Sequence, residues 1–196
     1  MLDTDLISRA RYLLNDAGRG ASTSARFYTD ASIARALTVA QADLCRAMIH
    51  APHTPDVIVA RLLKTAAVTA SLGAGTAVPS DYWYCLCGYK NSPYQFVPKV
   101  PVGIGDAFRT RGGSFGPNFI YVKGGLAYGS ADTMVYWSLP PAIGNSGATL
   151  TPFPDGFYHL VKTLACRELV AQEDRDAVDR WNYFNKEFQR KLLSFT

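Results

Sequence analysis

No stretch of this chain stays apolar for the ~20 residues that a membrane-spanning helix needs. The first residues, Met1-Leu-Asp-Thr-Asp5, have neither the basic start nor the apolar run of a signal peptide. Both absences predict a chain made in the cytoplasm, unprocessed and away from membranes. Charge is scarce too: 18% of residues are Asp, Glu, Lys or Arg, and the net charge is +4. Residues 1–50 carry 6 basic and 5 acidic groups, residues 80–150 carry 5 and 3, and residues 151–196 carry 7 and 7. This excludes the dense basic stripe of a dedicated nucleic-acid binder. The four cysteines (Cys45, Cys85, Cys87, Cys166) form no C-x-x-C, and free, buried thiols are expected. P-loop and H-E-x-x-H patterns are missing. Gly103-Ile-Gly105 starts like a dinucleotide fingerprint, but Phe108 stands where the third glycine belongs and no βαβ pattern surrounds it. There is no internal repeat and no low-complexity tract.

The chain does contain ample material for a core, with 48% hydrophobic and 12% aromatic residues. Helical periodicity is confined to its two ends. Leu6, Ile7, Ala10, Leu13 and Leu14 mark one apolar face, with Asp3 and Asp5 in the first turn, where the helix dipole favours them. Thr29 or Asp30 caps a second helix whose face reads Ile33, Ala36, Leu37, Ala40, Leu44, Ala47 and Met48, and Phe27 or Tyr28 is placed to pack back on Ile33. A third, short helix is expected over Val57–Leu63. The period then changes. Tyr82–Tyr89, Tyr94–Val97, Phe119–Val122, Leu126–Tyr128 and Thr133–Leu139 read as strands, and Lys123-Gly-Gly125 signals a hairpin. Pro98, Pro101, Gly103 and Gly105 are expected to prohibit regular structure, and Thr110–Asn118 reads as a loop. After Pro154-Asp-Gly156 the helical period returns over Phe157–Leu169. A charged turn at Glu173–Asp176 and a last helix follow, with Ala177, Val178, Trp181, Phe184, Phe188, Leu192 and Phe195 on one side.

Few residues carry recognisable chemistry. Gly112-Gly-Ser-Phe-Gly116 matches the pattern of a hydrolase nucleophile elbow at Ser114, with Asp132 or Asp155 and then His159 in the usual order. The elbow needs a strand before the serine and a helix after it. Here Arg109-Thr-Arg111 precedes and Pro117-Asn118 follows, so the serine-hydrolase reading is remote. Cys85-Leu-Cys87 would place both thiols on one face of a strand, with His50 or His53 as further candidate ligands. Structural zinc sites normally use a second close pair, which the chain lacks, so no metal is expected. Asp174 and Asp176 read as a solvated turn. Arg109, Arg111 and Lys123, among glycines and aromatics, read as a solvated loop tip that is also placed to contact phosphates.

The order of motifs carries a resemblance. Phe27-Tyr-Thr-Asp-Ala-Ser-Ile-Ala-Arg-Ala-Leu-Thr-Val-Ala-Gln-Ala42 resembles the second helix of the head-to-tail adaptor (connector) proteins of tailed bacteriophages. Those proteins read aromatic, Thr/Ser, Asp, then Leu and "N-x-A-Q"; here Thr38 replaces the usual Asn. Val78-Pro-Ser-Asp-Tyr82 is similar to the "L-P-x-D-F/Y" that leads into their β region. Tyr136-Trp-Ser-Leu-Pro-Pro141 is similar to the end of their last strand, and Tyr158 to Phe188 to their closing helices. The resemblance covers nearly the whole chain.

It implies a structural virion protein, made in the host cytoplasm and located in the neck at the head–tail junction. Such a protein has no catalytic residues and no cofactor. Its subunits form a ring, twelvefold in such proteins, under the portal protein. The ring offers a platform to the tail or the next neck protein and surrounds the channel through which DNA passes. The alternative is another tail-completion, stopper or neck protein. The expected fold is α+β: a mostly antiparallel helical bundle from residues 1–63 and 155–196, with a β-rich insertion of antiparallel strands and hairpins over 64–154. Trp181, Phe184, Phe188 and Phe195 are the residues expected to meet the portal. Arg109, Arg111, Phe115 and Lys123 are expected on the tail side or between subunits.

Overall fold

The structure is a computed structural model, and it describes residues 1–14, 28–49, 56–68, 73–92, 94–110, 118–144, 146–150, 153–171 and 177–195. The fold is α+β, with six helices and seven strands among the described residues. The chain forms two compact units: residues 1–61 together with 140–196, and residues 62–139.

The first unit is helical. It contains α1 (Asp3–Leu13), α2 (Asp30–Ile49), α3 (Asp56–Leu62, whose last residue falls in the second unit), α5 (Asp155–Ala171) and α6 (Ala177–Phe195). Helix α5 packs against α1, α2 and α6. Its residues Phe157, Tyr158, Leu160, Val161, Leu164, Ala165, Cys166, Leu169 and Val170 are all buried, so it is apolar nearly all round, as a central helix should be. Helix α2 presents Ile33, Leu37, Ala40, Leu44 and Met48 to the core, and Thr29 Oγ1 accepts from the Ser32 amide at its start (3.1 Å). Tyr28 is buried beside that start and its carbonyl accepts from Arg11 Nη1 (2.8 Å), while Arg11 also pairs with Asp30. A buried guanidinium therefore ties α1 to the N-terminus of α2. Among the described residues no helix is long and apolar enough to cross a membrane.

The second unit is built of strands. β1 (Leu63–Ala67), β7 (Thr133–Ser138), β3 (Tyr82–Asn91) and β4 (Tyr94–Pro98) form one sheet in that order, every neighbour antiparallel. β2 (Thr76–Ala77), β6 (Leu126–Gly129) and β5 (Ile120–Lys123) form a second antiparallel sheet. Both sheets feed one core of Val68, Cys85, Val97, Ile120, Ala127, Ala131, Met134 and Tyr136. The β5–β6 hairpin closes through Gly124 (φ 59°) and Gly125 (φ 76°), the two left-handed positions that a tight primed turn requires.

Two expectations fail here. Pro101, Gly103 and Gly105 do not prohibit regular structure: they lie in or beside helix α4 (Val102–Thr110). Pro101 precedes the helix, where its missing N–H leaves no donor unpaired, and its carbonyl accepts the first intrahelical bond from the Gly105 amide (3.0 Å). Gly105 is needed for packing: a Cβ there would sit 2.4 Å from the Tyr121 ring. The C-x-C thiols also do not share a face. A bulge sets Cys85 opposite Tyr136 and Cys87 opposite Val135. Adjacent residues of β7 point to opposite faces, so one inserted residue turns Cys87 away from the core that holds Cys85. Cys45, Cys85 and Cys166 are buried free thiols, and Cys87 is a half-buried one. Ser114, His50, His53 and the Glu173–Asp176 turn lie outside the described residues.

Candidate interaction surfaces

The motifs that carry the resemblance are the residues that hold long connections in place. In the helical unit, Gln41 Nε2 donates to the Pro141 carbonyl (2.8 Å). Thr38 Oγ1 accepts from the Ile143 amide (3.0 Å). Thus the Thr and Gln of the α2 motif grip the Pro-rich chain that follows Leu139. Asp3 grips it further on. Its carboxylate is 1% exposed and accepts from the Gly147 amide (2.8 Å), the Ser146 amide (3.1 Å) and the Ser146 hydroxyl (3.2 Å). The Ser146 amide, aided by the other donors, holds the Asp3 carboxyl below its usual range despite burial. Nothing in the sequence pattern distinguishes Asp3 from an ordinary first-turn aspartate, so this role is invisible before folding.

In the strand unit the motif leading in and the motif leading out meet. Asp81 of Val78-Pro-Ser-Asp-Tyr82 accepts from the Tyr136 hydroxyl (3.0 Å) and from Lys64 Nζ (2.5 Å). The Asp81 carbonyl accepts from the Leu139 amide (2.7 Å). The bond from Lys64 pulls the Asp81 carboxyl below its usual value, and burial pushes Tyr136 up to about 12. Ser138 Oγ donates to the Leu62 carbonyl (3.0 Å). The chain therefore enters and leaves this unit beside a single polar knot.

Two surfaces hold the residues expected to bind partners. On α6, Phe184 and Phe188 are buried (3% and 8% exposed). Trp181 is half-buried, with the Arg167 guanidinium 5.9 Å from its ring and 5.5 Å from that of Phe188. Tyr183 is the large aromatic that α6 exposes among its described side chains (57%). The Phe195 side chain lies outside the described residues. Arg190 and Lys191 both reach Glu187 (2.9 and 3.6 Å) and hold its carboxyl below its usual range, Arg190 foremost.

The other surface is formed by α4 and the β5–β6 hairpin. Lys123 Nζ (2.5 Å) and the Tyr121 hydroxyl (3.2 Å) both donate to Asp106. Lys123 depresses the Asp106 carboxyl, and Asp106 raises the Lys123 ammonium. Arg109 lies 4.8 Å over the Tyr128 ring, which stacks on Tyr121 (5.1 Å, 19°). Val102, Ile104 and Phe108 are exposed on α4. Arg109 and Lys123 are thus brought together on one cluster, while Arg111 and Phe115 lie outside the described residues. The exposed apolar residues of α4 escaped the sequence reading because the helix itself did.

Among the described residues no three His, Cys, Asp or Glu side chains gather to hold a metal ion. No curated protein matches the chain. The sequence model of the SU10 adaptor protein family matches residues 4–195, both units included. The chain belongs to the SU10 adaptor protein family, and it is a head-to-tail adaptor, a structural protein of the bacteriophage virion.

Proposed function

We propose that this adaptor forms a ring in the virion neck, between the portal protein and the tail or the next neck protein, around the channel through which DNA passes. The observation that carries this reading is the family match across 4–195, which spans the helices at both ends and the strands between them. The exposed residues support it. A subunit whose role is to hold neighbours needs apolar surface that its own core does not use, and Tyr94, Phe96, Val102, Ile104, Phe108 and Tyr183 are such residues. Mild charge also suits a channel that must let DNA slide, because many tight phosphate contacts would hold it back.

Within this reading, α6 meets the portal. Trp181 and Tyr183 lie at that contact, and Phe184 and Phe188 hold the helix in place on α5, with Phe195 at its end. The cluster of Arg109, Lys123 and α4, together with Arg111 and Phe115 further along the sequence, meets the tail side or a neighbouring subunit. Electron microscopy of the full chain mixed with its portal tests the reading: a ring of this chain seated on the portal is expected. Portals that stay bare at saturating adaptor, or virions that gain tails without this chain, would overturn it.

A further inference from the structure

The four-stranded sheet ends in two strands with one neighbour each among the described residues, β1 and β4. Both are five residues long. The sheet is antiparallel throughout and has an even number of strands, so β1 and β4 run in opposite directions. A β1 strand from a second copy, laid beside β4 in the same sheet orientation, would therefore continue the antiparallel alternation.

The side chains of the two edges are complementary as well. Ala67, Thr133, Tyr89 and Phe96 are successive cross-strand partners, so Ala67 and Phe96 lie at opposite ends of one row on one face. At the β4 end the row is large and apolar. Phe96 is 57% exposed and Tyr94 75% exposed, and Tyr89 stacks on Tyr94 (5.0 Å) and meets Phe96 edge-on (5.9 Å). At the β1 end it is small, with Ala67 and Thr65 exposed. Sheet edges are normally guarded by charge, proline or short length, and in β4 the one proline, Pro98, stands at the last position. β4 carries no charged residue, and the lysine of β1, Lys64, is engaged by Asp81.

We infer that β4 of one subunit pairs with β1 of a second copy of this chain, extending the sheet from subunit to subunit with Tyr94 and Phe96 covering Thr65 and Ala67. Such a contact uses different surfaces on its two sides, so repetition yields a closed ring or an open filament depending on the rotation per step. Ring closure here rests on the neck reading above; the contact itself does not.

Cross-linking tests it on the full chain, alone and with the portal. In a Cys87→Ser background, chains bearing Tyr94→Cys are mixed with chains bearing Ala67→Cys and treated with a short bismaleimide. Cross-linked dimer is expected in the mixture and not with either chain alone, and a chain bearing both cysteines should give a ladder of oligomers. Phe96→Lys should reduce that cross-linking at least tenfold with an unchanged circular dichroism spectrum. Rings that form on the portal without this cross-link, and form equally well with Phe96→Lys, would overturn the strand pairing and leave the ring reading standing. Cross-linked filaments that never seat on the portal would support the pairing and reject the ring. No assembly of any kind, alone or on the portal, would overturn both.

Discussion

Each unit of this adaptor uses an aspartate to fix a long connection, and the two carboxylates are held in opposite ways. Asp3 is buried and takes only neutral donors, the Thr4 amide beside it and those of the distant segment Ser146-Gly147. Asp81 is about a third exposed and takes one cation and one phenol from two different strands. A carboxylate buried among backbone amides is shielded from salt and depends on exact donor placement. One paired with a surface lysine is screened and tolerant. The connection in the helical unit is thus pinned by donor geometry and the one in the strand unit by charge.

The largest expected effect asks whether the two units are also separate cooperative units. Phe157 is fully buried on α5 and touches Phe153 and Tyr158, with ring centroids 4.1 and 5.8 Å away. Phe157→Ala should cost the helical unit about 3–5 kcal/mol through lost burial and the cavity left behind. Hydrogen exchange followed residue by residue should then show faster exchange across α1, α2, α5 and α6 while β3 and β7 keep their protection. Equal loss of protection in β3 and β7 would show that the units melt as one.

A second pair of substitutions probes the strand unit through α4. Gly105→Ala forces a methyl group against Tyr121 and should destabilise by about 1–3 kcal/mol. Gly103→Ala, two residues earlier, meets nothing within 4 Å and should stabilise by about 0.5–1 kcal/mol, because alanine is the better helix former. Thermal unfolding of both variants checks the signs. Two stabilising changes would mean that propensity, rather than the approach of Tyr121, governs this helix.

That helix also marks where the sequence could be read and where it could not. The terminal helices were legible because their apolar faces repeat at helical spacing, and α2 was further announced by Thr29. Strands β3, β4 and β7 and the Gly124-Gly125 turn were legible from aromatic runs broken by turn residues. Helix α4 was not, because its glycines suggested breaks: one of them, Gly105, exists to admit a ring from another element, a tertiary demand that no local pattern records. The bulge that separates Cys85 from Cys87 is likewise one extra residue whose effect appears only once β7 lies alongside. The family motifs were legible as a pattern, but their physical work was hidden. Thr38 and Gln41 grip residues 141 and 143, and Asp81 grips Tyr136, all through contacts between residues far apart in sequence.

The smallest expected effect separates the two aspartates directly. Both carboxyls are held below their usual values in the folded chain. A depressed carboxyl contributes stability at pH values above its unfolded pKa, near ~3.9, and that contribution is lost as pH falls through the folded value. Each should therefore steepen acid unfolding below about pH 4, and each Asp→Asn variant should flatten that limb. Salt tells them apart. Asp81→Asn removes a partly exposed ion pair worth no more than about 1 kcal/mol, and added salt should erase the difference from the parent chain. Asp3→Asn turns an acceptor into an amide donor facing the Ser146 amide and hydroxyl, and no salt concentration mends two donors pointed at each other. Melting temperatures at pH 7 in low and in molar salt should thus converge on the parent for Asp81→Asn and stay below it for Asp3→Asn. Convergence of both would mean that Asp3 is held by the general field of the unit and not by the Ser146-Gly147 segment.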